Sequence, residues 1–408
     1  MPTTRRRMLC LTAGALLAAD RRVIGAEADL VADLKREILI NGRKGGVSWF
    51  HPRACRIPAP AGPGVFMTLQ SITGSDVFGP VHWMETRDNG RTWTTPQPVP
   101  GLGRLPAADG AQEGVCDVVP EYHAATGSIL AIGHNVFYKE NIFFSAQPSR
   151  WPVYVVRRAD GSWTPRRRLE WNDPRGAYIY SCNCAQRLNL PDGRVLIPFT
   201  FGPTVNSPRS VSTVLADFEG NQLTIRQTGN ELTNTVGRGL LEPSLAFLDG
   251  VYYMTIRAED DHGYLTRSSD GLQWQPQIAW AWDNGELLTM STTQQRWLIH
   301  SDALYLVYTR KDASNTTVPR WRSPLYFAQV DRASLRLIRA TERIAFPLEG
   351  DGVANGKNVP YSGNFQTVAA SADESWITDG EHFPGNQYHG NLRLARVKWA
   401  QPNRLVAE

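Results

Sequence analysis

Glu242 and Arg257 are the residues best placed to do chemistry together in this 408-residue chain. Glu242-Pro243 stands before an apolar run at 244–248, and an Asp249-Gly250 turn leads to a second run at 251–256 and then Arg257. Asp-Gly between two such runs is a hairpin signal, and in an antiparallel pair the start of one strand and the end of the next share an edge. A carboxylate and a guanidinium are therefore presented side by side. Pro243 fixes the backbone next to Glu242 and aims its side chain. A confined Glu can accept a proton, and a guanidinium fork suits a planar oxyanion.

The elements that position this pair recur along the chain. Residues 240–274 read as a three-strand meander that closes on Ser-Ser-Asp-Gly-Leu-Gln-Trp. The same strand, tight turn and strand return six times, roughly every 60 residues, with second strands at 65–69, 129–133, 195–199, 251–256, 303–309 and 375–378. Third strands follow at 81–86, 152–157, 211–216, 264–267, 325–330 and 392–397, and fourth strands in five of the units. The expected fold is all-β, a single six-bladed β-propeller of four-stranded antiparallel blades over 29–408. Too little chain follows Trp399 for a last fourth strand, so 37–40 or 47–50 is expected to complete that blade and close the ring. Residues 28–37 carry the one convincing helical pattern.

This topology sorts the remaining candidates. Groups before first strands, after second strands and before third strands share one rim, which collects Arg56, Asp76, His82, Asp117, His134, Glu242, Arg257, His262, Arg310, Arg320, Arg322, Tyr361 and Glu381. His123 and His300 precede tight turns and belong to the far rim, with structural roles. A single arginine on a rim is as readily a surface charge or an Asp partner; several around one channel point to an anion.

Composition narrows the class. Residues 1–26 hold Arg5, Arg6, Arg7, Arg21 and Arg22 against Asp20, which accounts for the whole net charge of +4. The rest is near neutral, so neither nucleic acid nor an anionic membrane is an expected partner. A basic start, an apolar run from Met8 to Ala19 and small residues near Ala26 describe a secretory signal over 1–28, with paired arginines suggesting the twin-arginine route. The expected location is the bacterial periplasm or exterior, with no membrane span in the mature chain. Cys10 leaves with the signal; Cys55, Cys116, Cys182 and Cys184 allow one or two disulfides of undetermined pairing. Cys182 and Cys184 read as small core residues on one strand face, and no metal or organic cofactor is implied.

Residues 86–93, Thr-Arg-Asp-Asn-Gly-Arg-Thr-Trp, match the Asp-box, with a shorter version at 268–274 and a degenerate one at 158–163. The Asp caps backbone N–H groups, Gly takes positive φ and Trp packs between strands. The box marks the fold and lies at the edge opposite Glu242.

Together with these boxes, Arg56-Ile57-Pro58 and Glu242-Pro243 followed by Arg257 resemble the motifs of sialidases (neuraminidases) over roughly residues 54–399. The resemblance implies an exo-α-sialidase-like hydrolase acting on the acidic end of a glycan. In it Arg56, Arg257 and Arg322 clamp the sugar carboxylate, with Arg310 and Arg320 as competitors for the third place. Tyr361, in Tyr361-Ser362, resembles the nucleophile, Glu242 the base that takes its proton, and Asp76 the general acid. Gly363-Asn364 departs from the family as an insertion. His82, His134, His262 and residues 292–295 are not required by that template. Propeller enzymes that cleave uronic-acid polysaccharides use His or Tyr for proton transfer with an Arg against the uronate. His134 or His82 with Arg257 would fill those parts on a uronic-acid or rhamnosyl glycan. A non-catalytic glycan-binding propeller is the third reading. Oligomeric state is not legible.

Overall fold

The computed structural model describes residues 29–59 and 64–406. They form six antiparallel sheets around a common axis, a six-bladed β-propeller. The secretory-signal reading at 1–28 lies outside the described residues. Blade 1 runs Trp49–Ile57, Gly64–Gly74, Val77–Thr86 and Gln97–Pro98 from the axis outward. Blade 2 is Gln112–His123, Ser128–Lys139, Pro152–Arg157 and Arg167–Arg168. Blade 3 has a broken inner strand, Ile179–Ser181 and Leu188–Asn189, then Val195–Gly202, Ser210–Phe218 and Leu223–Thr228. Blade 4 is Leu241–Leu248, Val251–Arg257, Gly263–Ser268 and Ile278–Ala279. Blade 5 is Arg296–His300, Ala303–Tyr308, Leu325–Asp331 and Arg336–Leu337.

Blade 6 takes Gln366–Ala369, Glu374–Gly380 and Leu392–Trp399 from the C-terminal part of the chain, and its outer strand, Val31–Ile40, from the start. Val31 pairs with Trp399 and Ile40 with Leu392, so the ring is closed by main-chain hydrogen bonds. Among the described residues, the helix expected at 28–37 gives way to the strand Val31–Ile40. Local pattern favoured a helix, but Leu394, Ala395 and Val397 offered an unpaired edge, and tertiary pairing overrode propensity.

Between the blades the core mixes aliphatic and aromatic side chains. Trp280, Trp297 and Trp376 are fully buried, and burying a large apolar side chain contributes roughly 1.5–3 kcal/mol. Near the axis two arginines, both fully buried, tie the inner strands together. Arg296 donates to the Cys184 carbonyl, Ser244 Oγ and Gln366 Oε1 at 2.6–2.7 Å, joining blades 3, 4 and 6 to blade 5. Arg53 donates to the Phe365 carbonyl at 2.6 Å and to Asp117 at 2.9 Å, joining blades 6 and 2 to blade 1. Cys55, Cys116, Cys182 and Cys184 are all buried free thiols, so the disulfides held open by sequence do not form. Cys182 and Cys184 sit in a turn after Ile179–Ser181 rather than on one strand face.

The Asp-boxes lie where their topology put them. Asp88 accepts from the Thr92 N–H at 2.9 Å and from the Thr86 and Thr92 hydroxyls, and these bonds push its pKa down to about 2. Gly90 takes φ +74°. Thr86 pairs with Val65 at the start of the second strand, while Asp76 follows its far end. Asp270 likewise receives the Leu272 and Gln273 N–H groups at 2.8 and 2.7 Å. Among the described residues, no helix is long and apolar enough to cross a membrane.

Candidate active site

Three inner strands carry a β-bulge near the same end of the propeller. The register slips between Phe50 and Arg53, between Cys116 and Val119, and between Leu241 and Ser244. The first residue of each bulge is His51, Asp117 or Glu242, with φ of +51°, +55° and +46°. Such a backbone costs about 1–3 kcal/mol for a non-glycine residue, and it re-aims the side chain toward the axis. Pro52 and Pro243 follow two of them; a proline cannot donate to the ladder, so inside a strand it settles at a bulge.

These side chains open into a cavity of about 450 Å³. It is lined by Asp76, Asp117 and Glu242, by His51, His134 and His382, by Tyr361, and by six arginines: Arg150, Arg209, Arg238, Arg257, Arg320 and Arg322. With the histidines neutral, six guanidiniums outnumber the three carboxyl groups and leave the lining positive.

Blade 4 supplies the ion pair expected from its hairpin. Arg257 Nη1 donates to Glu242 Oε1 at 2.6 Å and its Nε to Thr292 Oγ1 at 3.1 Å. The Glu242 N–H is held by Thr200 Oγ1 at 3.1 Å. Before blade 6, Tyr361 bridges to His382 through paired backbone hydrogen bonds, and their rings lie 5.0 Å apart. The Arg322 guanidinium sits 5.4 Å above the Tyr361 ring, with Nε donating to the Ser362 carbonyl at 2.6 Å. Gly363 makes this possible: at φ +152°, a Cβ there would lie 1.8 Å from Arg322 Nη2. Gly363 thus makes room for Arg322.

Burial pushes the Arg322 pKa down to about 10, with Arg320 and Arg257 adding like-charge repulsion. Burial raises that of Tyr361, against the pull of Arg322. His382 is pushed down to about 3, first by burial and then by Arg322 and Arg320, and is a neutral imidazole at ordinary pH. Behind Tyr361, Ser362 Oγ donates to Asp379 at 3.0 Å, and Arg393 ties Asp379 to Glu381.

The other residues singled out by sequence lie as follows. Asp76 lines the cavity from the loop after Gly64–Gly74, at φ +58°. Asp117 receives Arg53 at 2.9 Å and lies 3.3 Å from His51 Nε2; burial opposes its charge, but these neighbours hold its pKa well below the usual range. His134 lines the cavity 3.3 Å from Cys116 Sγ, pushed down to about 3 by burial and by Arg150. Arg56 pairs with Val65 beside the far hairpin and is not in the lining, since its strand begins at Trp49 and Arg56 falls near its end. His82 packs against Trp49 at 4.9 Å, outside the lining. Arg310 is held by Glu342 at 2.7–2.8 Å in a separate cleft, and His262 meets the Leu288 carbonyl. Glu381 is buried against Arg43 and Arg393. His123 and His300 are buried in bonds to the Gly193 and Gln401 carbonyls.

Cys116, Asp117 and His134 bring possible ligand atoms within 4.8 Å of one another. Arg53 pairs with that Asp, and the Arg150 charge acts on both the Cys and the His, a field that disfavours a cation. His51, His382, Arg150, Arg209 and Arg238 are lining residues that sequence reasoning missed. The rule that placed Arg322, a position just before a third strand, would have found Arg150 and Arg209 in blades 2 and 3.

No family model and no curated protein matches this chain. Solved structures do. A Dyadobacter fermentans protein of unknown function shares 12% identity with TM-score 0.62, over 90% of this chain and 100% of that one. The Hadza microbial sialidase Hz136 shares 12% identity with TM-score 0.60, over 89% of this chain and 68% of that one. Trypanosoma rangeli sialidase in complex with 2,3-difluorosialic acid, described as a covalent intermediate, gives 12% identity and TM-score 0.60, over 90% of this chain and 59% of that one. At these identities the likeness is one of fold: the chain is a sialidase-like six-bladed β-propeller.

Proposed function

We propose that this protein is an exo-acting glycoside hydrolase, sialidase-like, that releases a terminal sugar bearing a carboxylate. One observation carries the reading: Asp76, Glu242 and Tyr361 line a single cavity together with Arg257, Arg320 and Arg322, although they come from blades 1, 4, 5 and 6. The three arginines hold the substrate carboxylate, with Arg257 oriented by Glu242 and Thr292 and Arg322 by Ser362. A neutral phenol avoids the repulsion an anionic nucleophile would meet at a carbon bearing a carboxylate. Glu242 takes the Tyr361 proton as the phenol oxygen bonds to the anomeric carbon; the glycosidic bond breaks and its oxygen takes the Asp76 proton. Asp76 then deprotonates water, which attacks the same carbon; the phenol leaves and recovers its proton from Glu242. The glycan is the partner, and the signal read at 1–28 would place the reaction outside the cytoplasm.

The test is release from sialyl-, uronyl- and rhamnosyl-terminated oligosaccharides with products identified by mass. Glu242→Gln should fold and bind yet lose roughly 10²–10⁴-fold in kcat, the scale of general acid–base work. Near-native turnover in that variant removes Glu242 from the chemistry.

One observation favours a second reading. The His382–Tyr361 pair under Arg322 is an imidazole and a phenol beside a uronate-sized guanidinium site, suited to proton transfer on a uronic-acid glycan. An unsaturated product in place of a water-added one would select it.

A further inference from the structure

Two cavity arginines stand on clamped backbone and, among the described residues, form no ion pair with a carboxylate. Arg150 and Arg209 each stand just before the third strand of their blade, the position Arg322 holds in blade 5. Each is clamped on both sides by the backbone of the chain entering the next blade. The Arg150 N–H donates to the Tyr178 carbonyl at 3.0 Å, and the Arg150 carbonyl accepts from Tyr180 at 3.1 Å. The Arg209 N–H donates to the Arg238 carbonyl at 2.7 Å, and its carbonyl accepts from Leu240 at 2.8 Å. That second approach needs a glycine: Gly239 sits at φ +80°, and a Cβ there would lie 2.3 Å from the Arg209 oxygen.

The guanidiniums are differently treated. Arg150 Nε meets only the Asn135 carbonyl, at 2.9 Å. Among the described residues no carboxylate forms an ion pair with Arg150 or Arg209, whereas Arg238 beside them is paired with Glu259. The cavity's own carboxylates face other partners: Glu242 holds Arg257, and Asp117 holds Arg53. Burial depresses the Arg209 pKa, and the charges of Arg238 and Arg150 add to it, against a pull from Tyr178 and the more distant Glu259, which Arg238 holds. Arginines that serve structure in this protein either carry acids, as Arg393 does with Asp379 and Arg396 with Glu374, or spend their donors on internal oxygens, as Arg296 does on five of them. Arg150 and Arg209, on clamped backbone, have no acid and leave donors open to an anion that a ligand would bring.

We propose that Arg150 and Arg209, flanked by Arg238, form a second oxyanion subsite that takes a carboxylate or sulfate ester on the sugar next to the one released. The proposal rests on the acidic-sugar hydrolase reading and narrows its substrate to glycans with acidic groups on adjacent sugars. Its geometry is an arc: the first clamp lies on blades 4 and 5 beside Tyr361, the second on blades 2 and 3, within one cavity whose volume suits ligands of drug size.

The experiment uses three oligosaccharides with the same acidic terminal sugar and a neutral, carboxylated or sulfated neighbour. Wild-type kcat/KM should favour an acidic neighbour at least tenfold, and the two acidic arms tell carboxylate from sulfate. In Arg209→Gln and in Arg150→Gln/Arg209→Gln that ratio should fall toward one, with Arg209→Lys intermediate; melting temperatures confirm folding. A wild-type ratio near one overturns the subsite while leaving the hydrolase reading intact. If none of the three is cleaved, the hydrolase reading fails, and calorimetry with the sulfated oligosaccharide decides the subsite alone. Binding at least tenfold weaker in the double variant sustains it; equal or absent binding in both proteins ends it.

Discussion

Gly363 decides where the Arg322 guanidinium can lie, and so whether a carboxylate finds two or three forks beside Tyr361. Gly363→Ala strains the backbone at φ +152° and should fold less stably, and since its clash is with the end of a flexible side chain it should drive Arg322 from the Ser362 carbonyl. Losing a hydrogen bond to a charged group costs about 1.5–3 kcal/mol, so KM for an acidic substrate should rise roughly 10–100-fold with native circular dichroism. An unchanged KM would remove Arg322 from the clamp. His134 makes a separate statement about pH. Its folded-state pKa, about 3, lies below the ordinary 6.5, so the unfolded chain takes the proton more readily. The stability it contributes is present above pH 6.5 and is lost as pH falls toward 3, by about 2 kcal/mol between pH 7 and 5. His134→Gln should therefore show a smaller loss of melting temperature between those two values than wild type; equal losses would contradict the assignment. Glu242, Arg257, Asp76, Tyr361 and Arg322 were legible as members of one rim because each flanks a recognisable strand. Arg56 was not placed correctly, because the inner strand of blade 1 starts at Trp49, inside a stretch with no turn signal, and the strand extends past Arg56. Arg53, three residues earlier, reaches the site end instead, where it holds Asp117.

Among the elements, the strand that closes the ring has the most dependent on it. Arg396 in its partner strand binds Glu37 at 3.1 Å, Glu374 at 2.8 Å and the Asn89 carbonyl of the first Asp-box at 3.0 Å, with its guanidinium 4.8 Å over Trp376. One side chain thus joins the closing strand, blade 6 and blade 1. Arg396→Ala takes the guanidinium from Glu374, which keeps the Trp376 N–H, and from Glu37, which keeps Lys35, and should cost about 2 kcal/mol, between an exposed and a buried pair, read by chemical denaturation. A cost within the scatter of surface substitutions would show that main-chain pairing alone holds the closure. That a strand from the start of the chain completes blade 6 was legible, since the last unit lacked a fourth strand and an open edge is a liability. Its exact span was not, because residues 31–40 look helical until Leu392–Trp399 is there to pair with them. The bulges could have been read from Pro52 and Pro243, prolines inside otherwise regular inner strands, but Asp117-Val118 carries no such mark.

For the whole molecule, the propeller separates two tasks. Tight turns and Asp-boxes occupy one end and fix the blades, while the bulged ends of the inner strands meet at the other around a positively lined cavity. Sequence periodicity made the first task plain, because every blade repeats the tight turn between two strands. The second depends on which side chains converge from different blades, and periodicity is silent on which of them meet. The chemistry proposed for this cavity breaks a glycosidic bond through the Tyr361 phenol. Its most direct test is to treat the protein with fluorinated sialyl and uronyl inactivators, which slow release of a glycosyl-enzyme, and to map the adduct by peptide mass spectrometry. A glycosylated Tyr361, absent from Tyr361→Phe, is the result expected. An adduct on any other residue, or acidic-glycan turnover that survives Tyr361→Phe within a few-fold, would contradict it.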